Sequence, residues 1–191
     1  MDICKVCRNS KPYLFLKSEE LVYWGCNTCG AKFLDPKNYV SSNYEKKHYL
    51  KHNNSTTDID YKNFLLKLIE PMKDKISTND IGLDYGCGFA PALADILKSR
   101  GFKVELYDPF FFPNKDVLLN KYKFITCSEV VEHFFNPCEE FDKINNLLEN
   151  NAWFGVMTTF LTKDEMFENW YYRRDPTHVV FFKKKTFQHI G

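Results

Sequence analysis

Two groups of residues in this 191-residue chain have the types and spacing to do chemistry. Cys4-Lys5-Val6-Cys7 and Cys26-Asn27-Thr28-Cys29 are C-x-x-C pairs separated by 18 residues. Each pair can turn two thiolates toward one ion, and four sulfurs complete a tetrahedral zinc shell. Such a closed shell leaves no position for substrate, so the expected role is structural. The second group is Asp84-Tyr85-Gly86-Cys87-Gly88, at the end of an apolar run, with an acid at Asp108 twenty residues beyond Gly88. Bare backbone at Gly86 and Gly88 lets a ligand come close, and a carboxylate at Asp108 can accept two ribose hydroxyl hydrogens. A dinucleotide site would want a third glycine at position 91 and would set pyrophosphate on the helix that follows. Pro91 stands there, which disfavours a nucleotide-dependent oxidoreductase and suits a nucleoside without phosphates.

Proton transfer near neutrality points to histidine. His178, after Asp175-Pro176-Thr177, is the preferred base, and His133, beside Glu132, is the other candidate. Arg173 and Arg174 form a fork pair that could hold an acceptor's carboxylate or phosphate, or simply face solvent. Phe110-Phe111-Phe112 could cap an adenine ring or belong to the core. Cys87, Cys127 and Cys138 have no partner that marks a nucleophile and read as small buried residues. His48 and His52 would share a helical face but have no third ligand, and they stay unassigned.

These groups need elements to hold them. Tyr13–Leu16 and Leu21–Trp24 read as two short strands between the cysteine pairs, joined through Lys17-Ser18-Glu19-Glu20, with Gly25 and Gly30 at turns: a zinc ribbon over residues 1–36. About forty residues cannot make a self-sufficient core, so metal would supply much of the folding free energy. Residues 37–57 are polar, with Tyr39, Tyr44 and Tyr49, and read as a linker or an ordering lid. Tyr61, Phe64, Leu65, Leu68, Ile69 and Met72 then recur at helical spacing, so an amphipathic helix should start near Asp58 or Asp60, with Pro71 bending or ending it.

From Ile81 onward strands and helices alternate. The strands are Ile81–Asp84, Val104–Asp108, Phe124–Ser128 and Trp153–Phe160. The helices run from Pro91 to Gly101 and from about Pro137 to Glu149, and a short piece lies near Val117–Leu119. That pattern predicts an α/β domain over 58–191: a Rossmann-like, doubly wound, mostly parallel sheet preceded by the small ribbon. Ligands of such sheets sit beyond the carboxyl ends of the strands, where strand order reverses, which is where the glycine turn, Asp108 and the Glu129–His133 segment would lie.

Composition narrows the function classes. Lys and Arg total 26 against 25 Asp and Glu, so a net charge of +1 supplies no broad field for nucleic acid or an anionic membrane. No apolar run is long enough to span a bilayer, and Met1-Asp2-Ile3-Cys4-Lys5 lacks the apolar stretch of a signal peptide, so a cytoplasmic protein is expected. Seven cysteines in a reducing compartment favour metal over disulfides.

Asp84-Tyr85-Gly86-Cys87-Gly88 resembles the first motif of the class I S-adenosylmethionine-dependent methyltransferases, and Ser128-Glu129-Val130-Val131-Glu132-His133-Phe134-Phe135-Asn136-Pro137 resembles their segment after the fourth strand. Asp175-Pro-Thr-His178-Val-Val-Phe-Phe182 is similar to a segment after the fifth strand in one branch, whose members can carry an N-terminal cysteine-rich ribbon. The resemblance covers about residues 58–187. It implies S-adenosyl-L-methionine as cofactor, with Asp84, Gly86 and Gly88 around its methionine part, Asp108 on the ribose and Glu129 in the same set. It also implies a methyl acceptor, expected to be a small molecule; the acceptor atom and the oligomeric state stay open.

The chain departs from the family pattern at Ala90, where a third glycine is usual, and at Lys123, where an aspartate often precedes the fourth strand. The resemblance also implies a final antiparallel strand pair, which a sequence ending at Gly191 is expected to lack. A competing reading is a zinc-ribbon binding module whose α/β domain is a non-catalytic scaffold; Ala90 and Lys123 favour it, and the joint presence of Asp84, Gly86, Gly88 and Asp108 opposes it.

Overall fold

The computed structural model describes residues 1–18, 20–51 and 58–191. Glu19, in the expected strand connection, and His52, in the expected lid, lie outside the described residues. In chain order the strands are β1 (Tyr13–Lys17), β2 (Val22–Gly25), β3 (Lys32–Leu34), β4 (Ile81–Tyr85), β5 (Lys103–Tyr107), β6 (Tyr122–Ser128), β7 (Leu148–Met157) and β8 (Val180–Phe181). The helices are α1 (Ser42–Tyr49), α2 (Ile59–Met72), α3 (Ala92–Ser99), α4 (Pro137–Leu147) and α5 (Lys184–Ile190). Two compact units divide them: Met1–Glu45 with Val131–Phe141 and Thr158–Gly191, and Lys46–Val130 with Asp142–Met157.

The second unit is the Rossmann-like part. Its four strands are parallel in the order β5-β4-β6-β7, so the chain leaves β4 to one side for β5 and returns to the other for β6. That reversal puts the ends of β4, β5 and β6 at a topological switch point. The central strands read as near-continuous apolar runs because helices cover parallel sheets. In β6, Tyr122, Phe124, Ile125 and Cys127 are all buried. Asp58 starts α2 as expected: its carboxylate accepts the N–H groups of Asp60 and Tyr61 at 2.8 and 3.1 Å. Leu65, Leu68, Ile69 and Met72 then form one buried stripe that packs with Leu93, Leu97, Val104 and Phe124. Pro71 sits in the last turn and ends nothing before Met72.

Two elements differ most from the sequence expectation. The last parallel strand spans Leu148–Met157 rather than Trp153–Phe160. Its register against β6 shifts between Tyr122 and Phe124, and Asn151 has a φ of +60°, so residues before Trp153 join the strand through a bulge. Beyond Met157, Thr158 Oγ1 bonds the Tyr172 hydroxyl at 3.1 Å, and the chain leaves the ladder. The piece near Val117 is a 3-10 turn, Lys115–Leu119.

In the first unit, β1 and β2, the two strands expected between the cysteine pairs, pair antiparallel, and two further strands extend them. Its sheet has the order β1-β2-β3-β8, with β8 contributed by the far end of the chain. Tyr23, Phe167 and Phe181 are fully or nearly fully buried there and pack edge to face at 5.0 Å between Tyr23 and Phe167 and between Phe167 and Phe181. Lys32 is buried as well; its ammonium meets Asp164 at 3.2 Å, the Tyr13 hydroxyl at 2.8 Å and the Phe15 ring at 4.2 Å. Gly25 closes β2 rather than turning, because the Tyr13 ring lies 2.7 Å from where its Cβ would be. Among the described residues no helix is long and apolar enough to cross a membrane.

Close packing within the parallel sheet makes a mutational prediction. A Cβ on Gly82 would lie 2.1 Å from the buried Phe124 ring, which cannot move aside, whereas one on Gly155 would meet the flexible Met72 side chain at 2.2 Å. Gly82→Ala should therefore cost about 1–3 kcal/mol and Gly155→Ala less. Denaturant unfolding of both variants checks this, and equal losses would contradict it.

Candidate active site and metal centre

The glycine loop hangs from the end of β5. Gly86 and Cys87 donate their N–H groups to the Tyr107 carbonyl at 2.8 and 3.2 Å. Gly86, at φ +82°, admits Val130, whose side chain lies 2.5 Å from where a Cβ would be. Gly88, at φ +66°, has nothing within 4 Å of that position and faces open space. The two glycines thus do different jobs: one lets the loop after β6 approach, and the other leaves a surface a ligand can touch.

Asp84 lies behind the loop. Its buried carboxylate accepts the Thr126 hydroxyl at 3.0 Å and a backbone N–H from Ala94 in the first turn of α3. That helix starts at Pro91, which has no side-chain cap, so Asp84 supplies the capping oxygen from the neighbouring strand. Burial pushes the Asp84 carboxyl up to about 7 against these two bonds.

Asp108 is also buried, and its oxygens organise the loop: Oδ1 accepts Phe110 and Phe111 N–H at 2.8 and 3.0 Å, and Oδ2 accepts Gly88 N–H at 3.0 Å. Phe110, Phe111 and Phe112 are half-buried rather than core. Phe111 packs on the exposed Phe89 at 5.8 Å, and Tyr49 of α1 lies 6.0 Å from Phe110. Glu129, just past β6, has a left-handed backbone at φ +52° and donates its N–H to the Met157 carbonyl at 2.8 Å. For a residue with a side chain that conformation is uncommon, and such strain gathers at functional sites. Lys123 pairs with Glu149 on the surface at 2.9 Å.

In the sequence Tyr61 reads only as part of a helical stripe. Burial raises its phenol to about 12, and the charges of Asp84 and Glu129 add to the rise, which places it beside this site. Thr126 likewise reads only as part of a strand, although a lone hydroxyl inside the apolar run of β6 needs a partner.

The four cysteines come together. Cys4 and Cys29 sulfurs are 3.9 Å apart, Cys7 and Cys26 sulfurs 3.7 Å, and all four lie within 4.8 Å of one another. Sulfurs bonded at about 2.3 Å to one tetrahedral ion are about 3.8 Å apart, so two of the pairs already have that spacing and the whole set suits such an ion. Left-handed residues, Arg8 and Gly30, follow each C-x-x-C pair. Val6 N–H and Cys29 N–H point at the Cys4 and Cys26 sulfurs at 3.4 Å, and Ser10 Oγ sits 3.2 Å from Cys26. A hydrogen bond from Cys29 draws Cys4 down to about 5 and pushes Cys29 up.

His133 and His178 belong to the first unit, while the glycine loop belongs to the second. Their rings meet edge to face at 4.8 Å. His133 Nδ1 lies 3.0 Å from the Thr177 carbonyl, and His178 Nδ1 lies 2.7 Å from the Tyr172 carbonyl. Carbonyls only accept, so each Nδ1 carries a hydrogen, and Nε2 is the nitrogen where a neutral form of either ring keeps its lone pair. Asp175 makes the turn: Oδ1 takes the Thr177 N–H at 2.8 Å and the Thr177 hydroxyl at 2.5 Å, and His178 N–H reaches the Asp175 carbonyl at 3.2 Å. Arg173 is spent inside its own unit, on the Tyr23 hydroxyl at 3.2 Å and the Glu168 carbonyl at 2.9 Å, so its fork is not the one expected for an acceptor; Arg174 is exposed.

A parallel sheet with a glycine loop and an acid at its switch point is an architecture whose ligands bind beyond the carboxyl ends of the strands. A family model described as a methyltransferase domain matches residues 57–191, and the chain belongs to that family. No curated protein was found to match the chain.

Asp84 sets a pH dependence. With its carboxyl held near 7 when folded and at 3.8 ordinarily, the folded chain keeps a proton that the unfolded chain loses, so the contribution to stability falls as pH rises from about 4 to 7. Asp84→Asn removes the titration. The stability of the parent relative to this variant should decline across that window by at most about 4 kcal/mol. Thermal unfolding at several pH values measures it, and a flat difference would reject the assignment.

Proposed function

We propose that this chain transfers a methyl group from S-adenosyl-L-methionine to a small-molecule acceptor, and that its four cysteines hold a structural Zn(2+). One observation carries the cofactor reading: Gly88 opens onto free space at the switch point of a parallel sheet, with the Asp108 carboxylate at its edge. The family membership supports the same reading.

When bound, S-adenosyl-L-methionine supplies a methyl carbon made electrophilic by its sulfonium. The chain has to bind, orient and keep the partners in line, and such positioning supplies most of the acceleration in a displacement of this kind. Gly86 and Gly88 leave room for the methionine half. A carboxylate has roughly four lone-pair positions; three backbone N–H groups reach Asp108, and a fourth position serves a ribose hydroxyl. Phe89, Phe110 and Phe111 offer a partly exposed aromatic face suited to adenine. Glu129 stands in a left-handed turn just past β6, and Asp84 fixes the loop from behind. For an acceptor that carries a proton on oxygen or nitrogen, His178, or else His133, is the base proposed.

Calorimetric titration of the full zinc-loaded chain with S-adenosylhomocysteine should give saturable micromolar binding, weakened at least about tenfold by Asp108→Ala, which is about 1.4 kcal/mol. No heat from a folded parent chain would reject the cofactor; unchanged affinity in the variant would reject the ribose contact.

Zinc should be present at one equivalent per chain. Cys29→Ser, or a chelator, should release it and abolish the near-ultraviolet circular dichroism that the packed aromatics around Tyr23 contribute. A metal-free chain with that signal intact would remove the staple.

A further inference from the structure

We infer that Glu132, His133 and His178 form a second metal site, separate from the four cysteines, that takes one divalent first-row cation through a carboxylate oxygen and two imidazole nitrogens. The three side chains offer ligand atoms that all lie within 4.8 Å of one another. They come from two stretches of chain held side by side by the backbone: Val179 N–H donates to the Glu132 carbonyl at 2.9 Å, and His133 Nδ1–H donates to the Thr177 carbonyl at 3.0 Å.

The chemistry of each donor suits an ion. Both imidazoles give an Nδ1 hydrogen to a backbone carbonyl, so in its neutral form each ring ligates through Nε2. This is how metal-bound histidines are oriented, the second nitrogen being held by a carbonyl or carboxylate. Glu132 has no exposed surface, and the Tyr172 hydroxyl donates to its Oε1, so a carboxylate is placed in a setting where a nearby cation offsets its desolvation. Ligand atoms around an ion with bonds of about 2.1 Å lie about 3.0–3.5 Å apart, so closing the set takes side-chain shifts of at most about 1.5 Å.

Two nitrogens and one oxygen without sulfur select zinc, cobalt, iron or manganese over magnesium or copper(I). Three protein ligands leave at least one position open, unlike the cysteine set. Water or another oxygen donor bound there would lose its proton more readily. An Nε2 that ligates an ion cannot also take a proton, so the two roles of the histidines exclude each other.

The test titrates the full chain, its cysteine site filled with zinc, with Co(2+) while recording visible absorption. Expected are the weak ligand-field bands of nitrogen and oxygen coordination, no thiolate charge-transfer band, and one further equivalent of metal per chain. His178→Asn and His133→Asn keep an N–H near the Nδ1 position and delete Nε2, so folding should persist while cobalt affinity falls more than about tenfold. Glu132→Gln should do the same. The site is rejected if no further equivalent binds, if only a thiolate band grows, or if the folded asparagine variants bind cobalt as well as the parent. S-adenosylhomocysteine binding, followed in parallel, reports on the methyl-transfer reading alone.

Discussion

The burial of one carboxylate, Asp84, governs how the parallel unit is built. Moving it out of water disfavours its charge, and the structure answers with a hydroxyl from β6 and an N–H from the first turn of α3. Those two bonds join the central strand to its neighbour and to the helix that follows, so strand, loop and helix cannot be rearranged separately. The glycine loop between them inherits its shape. Its other anchors, the Tyr107 carbonyl and the Asp108 carboxylate, come from β5. A loop bonded on three sides keeps its backbone open at Gly88 without a ligand to hold it, which is the preorganisation that binding needs.

The first unit is held by a different arrangement. Its sheet needs four strands, and the last comes from the end of the chain, so the cysteine ribbon shares a core with residues around Phe167 and Phe181. Backbone carbonyls then decide the chemistry of two histidines: Thr177 and Tyr172 each claim an Nδ1 hydrogen and thereby aim a lone pair from Nε2. The same turn that holds His178 is closed by Asp175, whose side chain bonds Thr177 twice. A motif written in four consecutive residues is therefore a device for orienting one ring.

Most elements were legible because their signals are local. The stripe of α2, the cap at Asp58, the apolar runs of β4 and β6 and the cysteine pairs each depend on residues within a few positions. Boundaries failed where distant groups intervened. The strand β7 begins early through a bulge, and it stops early because Tyr172 captures Thr158. Arg173 looked available in sequence, yet Tyr23 and the Glu168 carbonyl occupy it. Tyr61 looked like core, and its nearness to Asp84 and Glu129 gives it a second setting.

The sequence by itself determined the parallel α/β plan, the two C-x-x-C pairs that bring four sulfurs together and the positions where the backbone had to be bare, since periodicity, spacing and the lack of a Cβ are properties of the chain taken residue by residue. Only the tertiary structure decided which strand completes the ribbon's sheet, why Gly86 and Gly88 differ, where Asp84 finds its partners and which nitrogen of each histidine keeps its lone pair. The reason is physical: a buried polar atom is settled by whatever donor or acceptor folding brings to it, and that partner can lie anywhere in the chain.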